Sequence, residues 1–191
     1  MNRVLTAPAK PIHQVGLVGL PWHTHRECIH YPILKGINMS KKVIDLLNQA
    51  RARELTAIIQ YMAQHYELDD QDFGKLAGRL KDTGIAEMKH AEKLAERILF
   101  LKGEPTSKPS ATAIKGQEIA EMLKTDIGLE SEAIRMYNES ALTCAAEKDQ
   151  ISKEIFEELL KDEEGHLDMF ENIKDHVDKL GASYLATLTG K

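Results

Sequence analysis

Glu87-Met-Lys-His90 and Glu163-Glu-Gly-His166 repeat one spacing, a glutamate followed three residues later by a histidine. Each pair lies in a segment whose apolar residues recur three and four positions apart, a period typical of an amphipathic helix. Residues three apart share one side of a helix, so each pair presents a carboxylate and an imidazole together. One such pair is a weak signal in a glutamate-rich helix, but two of them indicate a metal site.

Two further glutamates stand where apolar residues are expected. Glu54 lies seven residues after Leu47, and Glu130 lies seven after Leu123, so both fall on the apolar stripe of their segment. A buried carboxylate without a partner costs several kcal/mol. Two divalent cations would cancel four such charges. The sequence therefore predicts a pair of metal ions and six ligands, which are Glu54, Glu87, His90, Glu130, Glu163 and His166.

The helical pattern extends from Ser40 to the end of the chain. It predicts helices over residues 40–68, 72–102, 117–147 and 150–180, and a short tail helix over 182–188. The short turns after the first and third helices make antiparallel hairpins. The connection over residues 103–116 is long enough to run the full length of the helices. We therefore expect an all-α fold, a four-helix bundle with one long crossover and a short C-terminal fifth helix.

The depths of the predicted ligands agree with this fold. With the first turn near residue 70, Glu54 lies 16 residues before it and Glu87 lies 17 after it. With the second near residue 148, Glu130 lies 18 before and Glu163 lies 15 after. All six side chains are thus expected to meet halfway along the bundle. Carboxylates with two imidazoles favour iron or manganese, and the spacing does not choose between them.

Residues 1–38 differ from the rest. They contain four of the six prolines and show no helical periodicity. Their net charge is +3, and that of the remaining residues is −8, which together give the total of −5. We interpret 1–38 as an irregular extension and 39–191 as the bundle domain. A secretion signal is disfavoured because the apolar stretch is short and interrupted by glycines; a native start at Met39 is an alternative. The extension also holds four residues of the types that bind metals, but their spacing fits no zinc pattern; they are His23, His25, Cys28 and His30.

Composition excludes several classes. The net charge of −5 argues against a nucleic-acid partner, which needs a cationic face. The longest apolar run is far shorter than the roughly 20 residues that span a bilayer, so no membrane partner is expected. Cys28 and Cys144 are far apart in the sequence and suggest no disulfide scaffold. A cytoplasmic location is the natural interpretation.

Five stretches of the sequence carry a resemblance to a known family. They are Arg53-Glu-Leu-Thr-Ala-Ile-Ile-Gln-Tyr61, Ile85-Ala-Glu-Met-Lys-His-Ala-Glu92, Glu96-Arg-Ile-Leu-Phe-Leu101, Glu121-Met-Leu-Lys-Thr-Asp126 and Lys161-Asp-Glu-Glu-Gly-His-Leu167. Through them, residues 40–190 resemble the bacterioferritin family of ferritin-like di-iron proteins. The resemblance implies the ferritin-like form of the bundle, with the six residues above as ferroxidase ligands for two irons per subunit. It also implies a homo-oligomeric cage, of 24 subunits in this family, that stores ferric mineral.

The resemblance also implies a haem. In the family a methionine from each of two subunits holds a shared haem of b type or a related type, and the matching residue here is Met88. Tyr61 is either a relay for electrons or protons beside the metals or a packed core residue. Asp82 and Ala86 stand where some members have the His and Asp of an additional inner-surface iron site, so that site is doubtful here.

The implied reaction oxidises ferrous iron with dioxygen or hydrogen peroxide, taking one electron from each ion. Haem would admit electrons, from a reductant of the ferredoxin type, when the mineral is reduced and released. One rival is a rubrerythrin-like di-iron peroxidase, whose usual cysteine-rich iron domain is missing from this sequence. Another rival is a manganese catalase, which uses a similar helical bundle but whose helix sequences this chain resembles less. A third rival is a cage subunit that binds iron without turnover.

Overall fold

The computed structural model describes residues 41–190, which form four long helices and a short C-terminal tail. The bounds are α1 Lys41–Asp70, α2 Gly74–Phe100, α3 Ile119–Ala146, α4 Gln150–Leu180 and α5 Ala182–Leu185, followed by one 3₁₀ turn, Ala186–Leu188. α1 packs along α2 and α3 along α4, and the two hairpins pack together. This confirms the predicted all-α, ferritin-like four-helix bundle with one long crossover and a short fifth helix.

Two other findings concern the predictions from the sequence. Within residues 41–190, none of the helices has a stretch that is both long and apolar enough to cross a membrane. The domain boundary near residue 39 and the cluster of His23, His25, Cys28 and His30 lie outside the described residues.

Each of the first three helices is followed, two positions after its last residue, by a residue in the left-handed region that is not glycine. The residue after the left-handed one donates its N–H to the carbonyl five positions earlier, which closes the last helical turn. α2 was predicted to continue to Lys102, but it ends at Phe100 because Lys102 takes the left-handed conformation. The three left-handed residues are Asp72 (φ 64°), Lys102 (φ 63°) and Lys148 (φ 61°).

Gly103 directly follows Lys102 and does not itself take the left-handed conformation. Its hydrogen atoms instead face the neighbouring side chains. A Cβ at this position would lie 2.7 Å from Cγ2 of Ile44 and 3.0 Å from Cγ2 of Ile98. The glycine is needed because the crossover begins in close contact with α1.

The crossover, residues 103–116, lies along α1, which supplies hydrogen-bond partners for its backbone. A segment that is neither helix nor strand must find other partners for its N–H and C=O groups. Here they are polar side chains of α1, met in the same order on both segments. The crossover therefore runs parallel to α1, which makes α3 parallel to α2. The pairs are Asn48 with Glu104 and Thr106, Arg51 with Thr106, Thr56 with Ser110 and Ala111, Gln60 with Ile114, and Glu67 with Gly116.

The interior consists of two apolar clusters with a polar layer between them. One cluster surrounds Leu47, Ile98 and Phe156, near the start of α1. The other surrounds Leu80 and Phe170, near its end. The fully buried glutamates lie between the two clusters. Folding therefore places the acidic layer halfway along the bundle, away from both ends.

We expect Gly103→Ala to destabilise the protein by about 1–3 kcal/mol, since the added methyl overlaps two β-branched side chains that have little freedom to move. Gly128→Ala is the matched control, because a Cβ there meets nothing within 4 Å. This helix-interior change should stabilise by about 0.5–1 kcal/mol. Thermal unfolding at equal protein concentration compares the two. Equal midpoints for both variants would contradict the close contact.

Candidate metal centre

The six predicted ligands come from four helices and meet in the polar layer. α1 supplies Glu54 and α3 supplies Glu130, while α2 and α4 each supply a glutamate and a histidine. All four glutamates are completely buried. His90 is 5% exposed, and His166 is partly buried. The structure thus brings together every residue that the sequence singled out for this site.

The six side chains form two groups of four that share two members. Glu54, Glu87, His90 and Glu163 make one group, and Glu87, Glu130, Glu163 and His166 make the other; in each, one ligand atom per residue lies within 4.8 Å of all the rest. Nδ1 of His90 is 2.8 Å from Glu87 and 3.4 Å from Glu163. Nδ1 of His166 is 3.0 Å from Glu87 and 3.1 Å from Glu163. The two shared carboxylates therefore lie between the two imidazoles.

An exposed carboxylate orients one of the imidazoles. Nε2 of His90 is 3.1 Å from Oδ2 of Asp162, whose side chain is 63% exposed. A carboxylate on the outer ring nitrogen fixes the rotation of a histidine and leaves the other nitrogen facing the site. His90 therefore presents Nδ1 to the buried carboxylates.

Two buried tyrosines donate hydrogen bonds to the two glutamates that are not shared. The hydroxyl of Tyr61, on α1, donates to Glu130 on α3, and that of Tyr137, on α3, donates to Glu54 on α1. The sequence offered Tyr61 as a relay or a core residue; it lies in the core and contacts the site. Tyr137 was missed in this role.

A repeat in the sequence could have found Tyr137. Four pairs of equivalent residues are each 76 positions apart, so the α3–α4 hairpin repeats the functional residues of the α1–α2 hairpin. Each tyrosine follows its own helix's glutamate by seven residues. The pairs are Glu54 and Glu130, Tyr61 and Tyr137, Glu87 and Glu163, and His90 and His166.

A buried arginine was also missed. Arg53 is 3% exposed, and its guanidinium lies 3.4 Å from Glu54 and 3.6 Å from Glu130. It also donates to the carbonyl of Leu129. Its position was visible in the sequence, three residues after Ala50 and four before Ala57 on the apolar stripe of α1. The criterion that picked out the glutamates would have picked out this cation as well.

Burial and mutual repulsion divide the ionisable groups into two kinds. Burial, followed by repulsion from neighbouring carboxylates, raises the pKa of Glu54 and Glu130 well above its usual value. Burial also opposes charge on Glu87 and Glu163, but hydrogen bonds from His166 and His90 outweigh it, so the pKa of each is lowered. The shared carboxylates are therefore the anions of the layer.

The imidazoles respond in the opposite direction. Burial alone would lower their pKa, but the carboxylates of Glu163 and Glu87 outweigh burial. They raise the pKa of His90 to about 11 and that of His166 to about 10. Each imidazole is then a cation between two anions, and a metal ion at the same place would take over the charge that the proton supplies.

Unpaired oxygens test whether this cluster fits metal ions. Among the described residues, one oxygen each of Glu87, Glu130 and Glu163 is buried and accepts no well-directed hydrogen bond, although Nδ1 of His166 lies 3.0 Å from that of Glu87. Buried acceptors are nearly always satisfied, so such oxygens point to a cation as their partner. Carboxylate oxygens with two imidazole nitrogens suit iron, manganese or zinc. The residues fit a pair of such ions.

Met88 lies apart from this cluster. It is next to Glu87 on α2, but its side chain is 55% exposed. Adjacent residues on a helix differ in direction by about 100°, so one faces the interior while the next faces outward. The predicted haem ligand is thus accessible on the outer surface of the α1–α2 hairpin.

Comparison with known proteins adds three findings. Residues 44–180 match the family described as the ferritin-like domain. The bacterioferritin of Desulfovibrio desulfuricans is 43% identical over 149 residues, covering 78% of this chain and 83% of that protein. The bacterioferritin of Rhodobacter capsulatus is 40% identical, covering 77% of this chain and 91% of that protein.

A solved structure agrees with these matches. The crystal structure of the Desulfovibrio desulfuricans bacterioferritin, which describes its diiron site in different catalytic states, superposes with a TM-score of 0.77. The match covers 78% of this chain and 88% of that one at 43% identity. The buried carboxylate–histidine cluster, the bundle and these similarities lead to one conclusion: the chain belongs to the bacterioferritin family.

Proposed function

We propose that this protein stores iron in the cytoplasm, oxidising ferrous iron at a di-iron ferroxidase site and keeping the ferric product as mineral inside a multi-subunit cage. The observation that carries the proposal is the pair of four-residue groups that share Glu87 and Glu163. In the proposal these two carboxylates would contribute to holding both irons. Glu54 and His90 would complete the ligands of one iron, and Glu130 and His166 those of the other.

Charge supports two ions in this layer. Four glutamates carry four negative charges when all are ionised, and Arg53 offsets one of them, so a net negative layer remains to attract two ferrous ions. When bound, the iron pair supplies two electrons, one from each ion, to dioxygen or hydrogen peroxide. Tyr61 and Tyr137 hold the unshared carboxylates through hydrogen bonds from their hydroxyls, and Asp162 holds the ring of His90. The chain thereby keeps the ligand atoms in place before iron binds.

The homo-oligomeric cage, of 24 subunits in this family, rests on the family relationship and on an exposed apolar surface. The side chain of Met62 on α1 comes within 3.5 Å of the point where a Cβ on Gly84 of α2 would lie. Because α1 and α2 are antiparallel, Ile59, one turn before Met62 on α1, is level with Met88, one turn after Gly84 on α2. Ile59 is 47% exposed, Met88 is 55% exposed and Ile85 is 38% exposed. In the proposal these three side chains form an apolar surface that is covered by a second subunit.

Haem belongs at this surface in the proposal. The thioether of Met88 is accessible, and Ile85 lies one turn earlier on the same side of α2. A haem shared with the same methionine of a second subunit would supply a route for electrons during release of stored iron, from a reductant of the ferredoxin type. The thioether of Met88 would hold the haem, and Ile59 and Ile85 would give it apolar surroundings.

The ferroxidase site is tested by Glu130→Ala. Loss of this carboxylate should slow ferrous oxidation at least about 100-fold, since even the partners that support a metal ligand contribute 10- to 100-fold. The measurement is stopped-flow oxygen consumption after addition of ferrous iron. Glu132→Ala is the matched control, because Glu132 is an exposed residue of the same helix. An unchanged rate in the Glu130 variant would refute the assignment.

The haem site is tested by Met88→Leu. This variant should lose the haem absorbance of the purified protein and keep the wild-type rate of ferrous oxidation, because the side chain lies outside the metal centre. Met136→Leu, a partly buried methionine of α3, should keep the haem. Haem retained at full occupancy by the Met88 variant would reject this residue as the ligand.

A further inference from the structure

Arg53 breaks the repeat that organises the metal centre. The ligands and the tyrosine of the α1–α2 hairpin each have a counterpart 76 residues later, but the counterpart of Arg53 is Leu129. The repeat therefore does not supply a second arginine to the layer. The one arginine that the described residues bring to the layer faces ligands of both hairpins, Glu54 and Glu130.

The guanidinium lies between the two unshared carboxylates. Nη1 is 3.4 Å from Glu54 and Nη2 is 3.6 Å from Glu130. Nη2 also donates to the carbonyl of Leu129, which fixes its position across the α1–α3 contact. Among the described residues, no lysine and no other arginine lies within 4 Å of the four buried carboxylates. Arg53 is thus the permanent positive charge of the layer.

A permanent charge acts differently from a proton. Protons on His90 or on a carboxylate leave when a metal ion binds, because the metal takes their place. An arginine keeps its proton under all physiological conditions. With four ionised glutamates and Arg53, the layer has a net charge of −3, which two divalent ions exceed by one. Metal binding must therefore overcome repulsion that a neutral residue at position 53 would not cause.

We propose that Arg53 is a built-in counter-ion that stabilises the metal-free centre and weakens its hold on divalent metal, so that iron passes through the site instead of remaining in it. This rests on the proposed function, in which the four glutamates bind the metal pair. Because ferric ions carry more charge than ferrous ions, Arg53 repels them more strongly and lowers their affinity for the site by a larger factor. Arg53 is a positioning and charge-setting residue that does not itself bind iron.

Arg53→Leu places on α1 the residue that α3 has at the matching position. The expected effects have opposite signs. The metal-free variant should unfold at a lower temperature, because it loses the contacts of the guanidinium with Glu54, with Glu130 and with the carbonyl of Leu129. Its affinity for Co²⁺, a redox-inactive probe measured by isothermal titration calorimetry, should rise at least about ten-fold, because one repulsive charge is gone. The stoichiometry should stay at two ions per chain.

Three further variants make the result decisive. Arg53→Gln is a second neutral replacement in case the leucine variant does not fold, and it should also bind Co²⁺ more tightly. Arg53→Lys keeps the charge and should bind Co²⁺ within a few-fold of wild type. Arg97→Leu removes another partly buried arginine, one that pairs with Asp149 at 2.6 Å; it should lower the unfolding temperature without changing Co²⁺ affinity.

Two outcomes would overturn the proposal, and they differ. If the neutral variants at position 53 bind Co²⁺ equally well or more weakly than wild type, Arg53 supports the ligands and does not repel metal. The proposed function would survive that result. If wild-type protein binds no Co²⁺, the metal centre itself is wrong and this inference fails with it.

Discussion

Four fully buried carboxylates at one level of a helical bundle are the constraint on which the rest of this structure depends. Charges of one sign cannot share a dry interior unless something neutralises them. The side chains in contact with the layer do this in part: two imidazoles and a guanidinium supply positive charge, and two tyrosines donate hydrogen bonds. One oxygen each of Glu87, Glu130 and Glu163 still accepts no well-directed hydrogen bond. The layer is built for cations that the chain itself does not provide.

The fold serves this layer through its one long connection. Because the crossover runs back along α1, the second hairpin starts at the same end of the bundle as α2. The equivalent ligands of the two hairpins, 76 residues apart in the sequence, therefore face one another across the site. Apolar clusters on both sides keep water away and set the height at which the carboxylates meet. The outer surface of α1 and α2 is free for another role, and its exposed Ile59, Ile85 and Met88 suit an interface between subunits.

The sequence predicted the helices and the set of buried glutamates because both follow from the position of residues in a 3.6-residue period. Helix ends were less predictable, since Lys102 takes a left-handed conformation that its residue type does not favour. The sequence does not indicate that Glu87 and Glu163 are shared by the two groups of ligands, because that depends on the distance between helices. Arg53 and Tyr137 were overlooked although their positions were readable, because a long side chain on an apolar stripe is usually ascribed to packing. The hydrogen bonds from α1 side chains to the crossover, such as those between Gln60 and the backbone of Ile114, could not be predicted because they form only when the two segments meet in the fold.

A pair of metal ions is proposed to neutralise the buried carboxylates. Anomalous diffraction at the iron edge, from crystals of the full chain soaked anaerobically in ferrous iron, tests this most directly. Two iron peaks per chain are expected, both within bonding distance of Glu87 and Glu163. One peak should also contact Glu54 and His90, and the other Glu130 and His166. Iron found at the protein surface, with no peak in the buried layer, would contradict the proposal.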